Sequence, residues 1–478
     1  MTMAPTLTID KQQSGQFANL SGDWNPMHLD PVAARRVQFG DTVIHGVNGT
    51  LVALDRFFAQ RQGQSEQIQS LSATYASPIV QGTPLEVVWQ AKGENQFRLS
   101  LLANGKRAQL LKLTLTARDG SCKDHVSDHR LDAQLPAQLT LHNAIGRDEE
   151  VDICWDRELA ETLFPSLCAS VPHEQIANLL VLTRIVGMRC PGQHSVFAGF
   201  DVQFGPAEVA VSRGQARYQA DSVDERFNRA LLNVTSGCMQ GEIETLFRPR
   251  PVQQASMEEI STVIPVGRFS AQRALVIGGS RGLGEVTAKM IAAGGGKVII
   301  TYASGQEDAQ RVCTEIVAWG GQCEAIRLDI GNLDEPTLDA VFRQNITHLY
   351  HFSSPKITKN EQSFDNRLLQ LFLQHYVFGL NEVLAVAADK HGYKDKALHL
   401  FIPSSIFIQE QKKGFAEYIT AKAAAETCLA QIAGRYRQWT MSAPRLQPML
   451  TDQTAGVTHS TPMDTVNSML AHLPSDRG

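Results

Sequence analysis

The sequence predicts a multidomain chain, with α+β folding in roughly its first half and a doubly wound α/β parallel sheet in its second. Three observations predict this. At 478 residues the chain exceeds what one ordinary core organises. Twice before residue 260, an apolar segment of helix length precedes several alternating segments bounded by Gly, Pro and Asn, as expected of a sheet wrapped round a helix. Beyond residue 270, short apolar strands alternate with segments of helical period, which implies parallel strands covered on both faces. Three domains are expected, at 1–125, 135–260 and 270–478.

The first block opens with a short strand-like stretch and a loop rich in Gly, Asp, Asn and Pro. The apolar helix follows at 46–59, then alternating segments at 69–77, 85–91, 96–102 and 108–117. The second block repeats this order loosely, as in a weak internal duplication. A buried helix is expected at 174–186, broken by Cys190-Pro191-Gly192, with strands at 197–204, 207–220, 229–236 and 240–247. The stretch 248–268 reads as a linker. After it, strands are expected at 273–277, 297–302, 324–329, 348–353 and 399–403, with helices at 284–293 and 309–319 among those between them.

Composition narrows the class. Apolar residues make up 43% and charged residues 19%, enough to build large cores and to exclude wholesale disorder. The net charge is −5 with no long basic run, so neither nucleic acid nor a membrane surface is an expected partner. Eight cysteines lie scattered without a C-x-x-C pair, which argues for no metal site, no disulfide framework and a reducing, cytoplasmic setting. The opening residues do not read as a signal peptide, and no apolar run reaches the roughly 18–20 residues that span a bilayer.

Residues 17–30 read Phe-Ala-Asn-Leu-Ser-Gly-Asp-Trp-Asn-Pro-Met-His-Leu-Asp, and 44–46 read Ile-His-Gly. Across the Asn25-Pro26 turn, Asp23 and His28 can converge on one water. A carboxylate beside an imidazole suits general acid–base work because it fixes the tautomer and tunes the pKa. Gly46 opens the apolar helix, where its N–H, helped by the helix dipole, can hold a developing oxyanion. The string resembles the signature of MaoC-like, (R)-specific enoyl-thioester hydratases, which have the hotdog fold. That resemblance implies Asp23 and His28 as the catalytic pair, Gly46 as oxyanion donor and Asn25 as a residue that orders the loop. The middle block lacks a second such motif. Its stretch 183–195 looks like the helix end and loop of another hotdog domain, a degenerate partner completing a double hotdog, with His173 and His194 read as structural.

Residues 275–284 read Leu-Val-Ile-Gly-Gly-Ser-Arg-Gly-Leu-Gly between a strand and a helix. Gly278, Gly282 and Gly284 permit a tight turn, close backbone approach to a pyrophosphate and close strand–helix packing. Tyr418 and Lys422 share a helix face at i, i+4, and Ser405 follows a strand thirteen positions earlier. A Lys cation beside a phenol lowers its pKa and suits it to protonate a carbonyl as hydride arrives. Together these features closely resemble the short-chain dehydrogenase/reductase family, with its Rossmann-type sheet. The resemblance implies Tyr418 as acid, Lys422 as ribose binder and pKa modulator, and Ser405 as the carbonyl-orienting hydroxyl. It also implies a cofactor cradle of Gly278, Ser280, Arg281, Gly282, Leu283 and Gly284, with Asp329 near the adenine. Tyr302 ends the second strand without an acidic neighbour and Arg281 sits in the turn, which together favour NADPH over NADH. Departures from the family pattern are His351-Phe352-Ser353-Ser354 in place of Asn-Asn-Ala-Gly, Ile277 where Thr is usual, a replacement of the helical Asn near Tyr376, and no obvious final strand.

The two resemblances imply adjacent steps on an acyl-CoA or acyl-carrier-protein thioester: reduction of 3-oxoacyl to (R)-3-hydroxyacyl, and reversible dehydration to trans-2-enoyl. A bifunctional enzyme, a homodimer or higher oligomer, is the first expectation. A hydratase with a weak nucleotide-binding domain and a non-catalytic acyl-thioester scaffold are the alternatives.

Overall fold

Asp10 and Gln13 cap one another's backbone reciprocally, and the chain enters a helix at Lys11–Ser21. The sequence reading placed only a strand-like stretch and a loop before residue 46, so this helix corrects it. Eleven mostly polar residues carry little helical periodicity, and the Asp-x-x-Gln spacing was the signal. The helix ends at Gly22, whose φ of 70° is the left-handed cap conformation that favours glycine. Asp23 follows directly.

The computed structural model describes residues 7–36, 40–61, 66–205, 211–361, 363–455, 458 and 460–474, and the chain forms two compact units, Met1–Arg250 and Pro251–Gly478. The first two sequence blocks therefore share one unit. In each block a central helix precedes antiparallel strands. The first helix, Gly46–Ala59, buries Val47, Leu51, Leu54, Phe57 and Phe58, and the second, His173–Arg184, is buried along almost its whole length. Between and after them run β1 (Glu66–Tyr75), β2 (Leu85–Ala91), β3 (Gln96–Ala103), β4 (Lys106–Ala117), β5 (Asp148–Asp152), β6 (Ser195–Phe204), β7 (Gln215–Asp224), β8 (Arg229–Ser236) and β9 (Met239–Phe247).

These nine strands form one sheet in the order β2-β3-β4-β1-β6-β9-β8-β7-β5. The halves join where β1 pairs antiparallel with β6, Ser70 opposite Gln203 through Thr74 opposite Gly199. Gly199 is required there, since a Cβ would lie 2.4 Å from the Ala73 carbonyl oxygen. Leu71, Leu99, Leu111 and Leu113 from the sheet, with Ile176, Leu179 and Leu180 from the second helix, join one continuous core. Each such side chain contributes roughly 1.5–3 kcal/mol by leaving water. The strand expected at 207–220 forms at Gln215–Asp224 instead. Positions 207–210 lie outside the described residues, and Gly214, at φ 77°, turns the chain just before the strand.

In the second unit, β10 (Arg273–Ile277), β11 (Lys297–Tyr302), β12 (Gln322–Arg327), β13 (His348–His351), β14 (Leu398–Phe401) and β16 (Trp439–Ser442) form a parallel sheet in the order β12-β11-β10-β13-β14-β16. The order reverses between β10 and β13, so a crevice opens at the carboxyl ends of those two strands. Two further residues, β15 (Ser404–Ser405), pair with β17 (Arg445–Leu446). The stretch read as a linker is partly structured. A Ser256–Glu259 capping box starts a short helix, Met257–Ser261, and Ala255, Met257 and Ile260 enter the core of this unit. The unit thus claims residues from 251 onward. The stretch Asn366–Lys390 is long and apolar enough to cross a membrane, and here Leu380, Val383, Leu384 and Ala387 pack it into the second unit.

One buried side chain ties the second helix to the first half. Gln175 Nε2 donates to the Ile68 carbonyl and its Oε1 accepts from the Ile68 N–H, both at 2.8 Å, beside the irregularity in β1 between Ile68 and Ser70. Gln175→Leu would leave both backbone groups unsatisfied in the core. The expected outcome is a loss of about 2–4 kcal/mol in the unfolding free energy of the first unit, measured by urea denaturation.

Candidate active sites

In the first unit, the loop between Gly22 and the short helix Pro26–Leu29 is held by Asn25. Its Oδ1 accepts from the Met27 N–H, and its Nδ2 donates to the carbonyls of Gly187 and Gly192 at 3.0 and 3.1 Å. Asp23, His28 and His45 are all buried and crowd within 4.8 Å of one another. The two imidazoles stack at 3.7 Å between ring centroids. His28 Nδ1 meets the Val43 carbonyl at 2.8 Å, and His45 Nε2 meets the Asp23 carbonyl at 3.0 Å. A carbonyl only accepts, so each of these nitrogens carries its proton. The lone pairs are then on His28 Nε2 and His45 Nδ1, the latter a buried atom without a hydrogen-bond partner.

Burial sets the charge state. Asp23 is raised above the ordinary carboxylate range by desolvation, against the opposing pull of His28, the Thr183 hydroxyl, the Asn25 N–H and Arg184. His28 is pushed down to about 3 by burial and then by His45, with Asp23 and the Val43 carbonyl acting the other way. His45 is likewise pushed down to about 3 by burial. Gly46 begins the central helix, whose N-terminus has no side-chain cap. A Cβ at Gly46 would meet the Tyr75 ring at 2.8 Å, and its carbonyl accepts from Gln109 Nε2 at 3.0 Å.

The structure thus brings Asp23, His28 and Gly46 together, and adds residues that the sequence reading did not single out. His45 was legible in Ile-His-Gly but only its neighbour was chosen. Thr183 Oγ1 donates to Asp23 Oδ2 at 2.7 Å, Arg184 lies beside it, and Gly187 abuts the carboxylate from the π-helical turn Ile185–Arg189. His173 packs against Trp155 and His125, apart from this cluster. His194 is pushed down to about 4 by burial.

In the second unit, β10 runs into the glycine turn. Gly278 and Gly282 have φ of 76° and 59°. A Cβ at Gly278 would lie 2.9 Å from the Ser353 N, and one at Gly284 would lie 2.2 Å from the Gly278 carbonyl oxygen. The helix Gly282–Ala293 that follows has no side-chain cap at its N-terminus. Ser280 is buried, Leu283 and Tyr302 are half-buried, and Asp329 accepts from the Gly331 N–H at 2.8 Å just past β12. Ser405 lies in β15, and Tyr418 and Lys422 project from the helix Ala416–Arg435.

Three details differ from expectation. Tyr418 is raised above the ordinary phenol range by burial, and Ser405, which hydrogen-bonds it, is what pulls it down. Lys422 instead donates to the Pro403 carbonyl at 2.8 Å and stands 3.9 Å over the Tyr376 ring, while burial pushes it down to about 7. Tyr376, near which the helical Asn is expected to be replaced, lies buried in the π-helical turn Gln374–Phe378, with its hydroxyl 2.5 Å from that of Ser354. Arg281 pairs with Asp452 at 3.4 Å, a partner 171 residues away in sequence. Arg327, opposite Tyr302 in register, donates to the Ala303 carbonyl and puts a second guanidinium at the tip of β11.

Residues 2–108 match the family described as MaoC like domain, and residues 272–354 match that described as short chain dehydrogenase. The chain carries an N-terminal MaoC-like domain and a C-terminal short-chain dehydrogenase domain. It is 33% identical over 163 residues to a 3-oxoacyl-(acyl-carrier-protein) reductase of Synechocystis, covering 32% of this chain and 64% of that protein. It is 22% identical over 108 residues to the "Probable dehydratase NIT22" of Ajellomyces capsulatus, covering 22% of this chain and 29% of that protein. Each of these alignments spans less than two thirds of the relative's length. Among solved structures, a short chain dehydrogenase of Burkholderia cenocepacia in complex with NADP aligns with 24% identity and a TM-score of 0.37, over 43% of this chain and 90% of that one.

The depressed imidazoles beside the MaoC-like site make a stability statement. Unfolded, His28 and His45 regain their ordinary value near 6.5, while folded they stay neutral down to about 3. Between those limits the two histidines bind more protons unfolded, so their contribution is full above pH 6.5 and falls as pH drops toward 3, and it outnumbers the single raised Asp23, which acts the other way. In urea titrations from pH 7 to 4, the first unit is expected to lose stability, and His45→Gln to lessen the slope.

Proposed function

We propose that the chain is a bifunctional acyl-thioester enzyme. Its short-chain dehydrogenase domain reduces a 3-oxoacyl thioester to the (R)-3-hydroxyacyl thioester with NADPH, and its MaoC-like domain interconverts that product with the trans-2-enoyl thioester. The observation that carries this reading is the pairing, in one chain, of a buried carboxylate–imidazole pair at an uncapped helix N-terminus with a Ser405–Tyr418–Lys422 set near a glycine turn. The first unit, with a central helix and antiparallel strands in each half, is read as a double hotdog. Coenzyme A and a carrier protein are the two thioester carriers that suit it.

In hydration, burial favours the neutral forms of both groups, so His28 Nε2 is a base and Asp23 an acid. His28 takes a proton from water, whose oxygen bonds C3. Asp23 gives its proton to C2, and the pair is left as imidazolium and carboxylate. The Gly46 N–H holds the thioester oxygen as charge develops on it. Return of the proton from His28 to Asp23 resets the site, and dehydration is the reverse.

The second site fits NADPH. Cβ atoms would fill the cradle at Gly278 and Gly284, and the uncapped helix N-terminus suits a pyrophosphate. Gly278, Ser280, Arg281, Gly282, Leu283 and Gly284 would hold the phosphates, Tyr302 and Asp329 the adenosine, and Tyr418 and Lys422 the nicotinamide ribose. NADPH supplies the hydride when bound. Tyr418 keeps its proton at neutral pH and delivers it to the 3-oxo oxygen, which Ser405 orients. A hydratase-only reading is favoured by Tyr376, whose ring faces the Lys422 ammonium where a relay residue would stand, and by the Asp452 pairing of Arg281.

Two assays on the full chain test the reading. With crotonyl-CoA, Asp23→Asn and His28→Ala should each lower kcat at least ~10²-fold, with the double variant little worse, because acid and base act together in one addition. Strictly additive losses would count against a joint acid–base step. With acetoacetyl-CoA, slow NADPH oxidation is expected, abolished by Tyr418→Phe while NADPH binding survives. NADPH binding without oxidation above the Tyr418→Phe background would leave the hydratase-only reading.

A further inference from the structure

We propose that Thr183 and Gly187, one turn apart at the end of the second central helix, are positioning residues that seat the Asp23 carboxylate, so that the half lacking its own Asp-His motif is a required part of the hydratase site. This rests on the hydratase reading of Asp23 given above. A threonine inside a helix ordinarily returns its hydroxyl to the carbonyl four residues back. Thr183 donates instead to Asp23 Oδ2 at 2.7 Å, across 160 residues of sequence. At Gly187, a Cβ would lie 2.2 Å from Oδ1 and 2.4 Å from Oδ2, so any side chain there displaces the carboxylate. The Gly187 carbonyl also accepts from Asn25 Nδ2 at 3.0 Å, which fixes the loop that carries Asp23. Oδ1 takes the Asn25 N–H at 3.2 Å. Each carboxylate oxygen therefore has one protein donor, and the one on Oδ2 comes from the second half.

The hydroxyl favours the charged carboxylate against burial. The other charged or titratable groups facing Asp23 are His28 and His45 from its own half and Arg184 from the second helix. Arg248 faces His28, and Asp152, Cys154 and Arg189 face Arg184. None of these is altered by Thr183→Val, which removes the hydroxyl at nearly constant volume.

The test is the pH dependence of crotonyl-CoA hydration by the full-length wild type, Thr183→Val, Thr183→Ser and Gly187→Ala, with the Asp23 carboxyl titrated in parallel by carbon-13 NMR. In Thr183→Val the limb set by Asp23, and its NMR titration, should move up by about one pH unit. Its kcat should fall about tenfold, Thr183→Ser should restore both, and Gly187→Ala should lose activity with its circular dichroism unchanged. An unchanged Asp23 titration in Thr183→Val overturns the proposal, even if Asp23→Asn abolishes activity and the hydratase reading stands. A shifted titration in a protein without hydratase activity would instead uphold the seat and overturn that reading.

Discussion

The antiparallel pairing of β1 with β6 is the interaction on which the first site depends. It joins a four-stranded and a five-stranded array into one sheet and brings the second central helix within reach of the first half. Gln175 then satisfies Ile68 from that helix, and Thr183 and Gly187 reach Asp23. A buried carboxylate without donors is costly, as is a buried imidazole forced to carry charge. The crowding of Asp23, His28 and His45 is sustainable because each has a fixed partner: the Thr183 hydroxyl, the Val43 carbonyl and the Asp23 carbonyl. The same hydrogen bonds fix the tautomers, while burial holds the two imidazoles neutral and raises the Asp23 carboxyl above its ordinary range.

The second site rests on a different constraint, close backbone approach at the reversal of strand order. Gly278 abuts Phe352 and Ser353 after β13, and Gly284 abuts Gly278, so the turn stays bare of side chains at the mouth of the crevice. Around that cradle the chain departs from the pattern it resembles. An aromatic face, not a polar amide, meets Lys422, and Asp452 competes for Arg281. Neither change alters the fold, since the sheet order and the glycine turn do not depend on either residue.

Much of this was legible in the sequence where the signal is local. The helix Gly46–Ala59 carries a long apolar run with helical period, and the strands β2, β8, β10 and β11 show clear patterning, so each was read at its observed bounds. The charged edge strand β5, Asp-Glu-Glu-Val-Asp, gives no apolar alternation and was missed, as was the polar helix Lys11–Ser21. In the sites, Asp23, His28 and Gly46 were found because they sit in one contiguous string, and Tyr418 and Lys422 because they share one helix turn. Thr183, Gly187 and Asp452 were not, because only tertiary pairing brings them to residues far away in sequence. The Tyr418 expectation failed for a related reason: the spacing put an ammonium near the phenol, but its depth in the fold decided the direction.

The most direct measurement supplies the intact protein with acetoacetyl-CoA and NADPH alone and follows both the chirality of the 3-hydroxybutyryl product and the absorbance of crotonyl-CoA. If the two domains catalyse consecutive steps, the hydroxy product is the (R) form and crotonyl-CoA accumulates to the dehydration equilibrium without added enzyme. Accumulation of the (S) form, with no enoyl product, would contradict it.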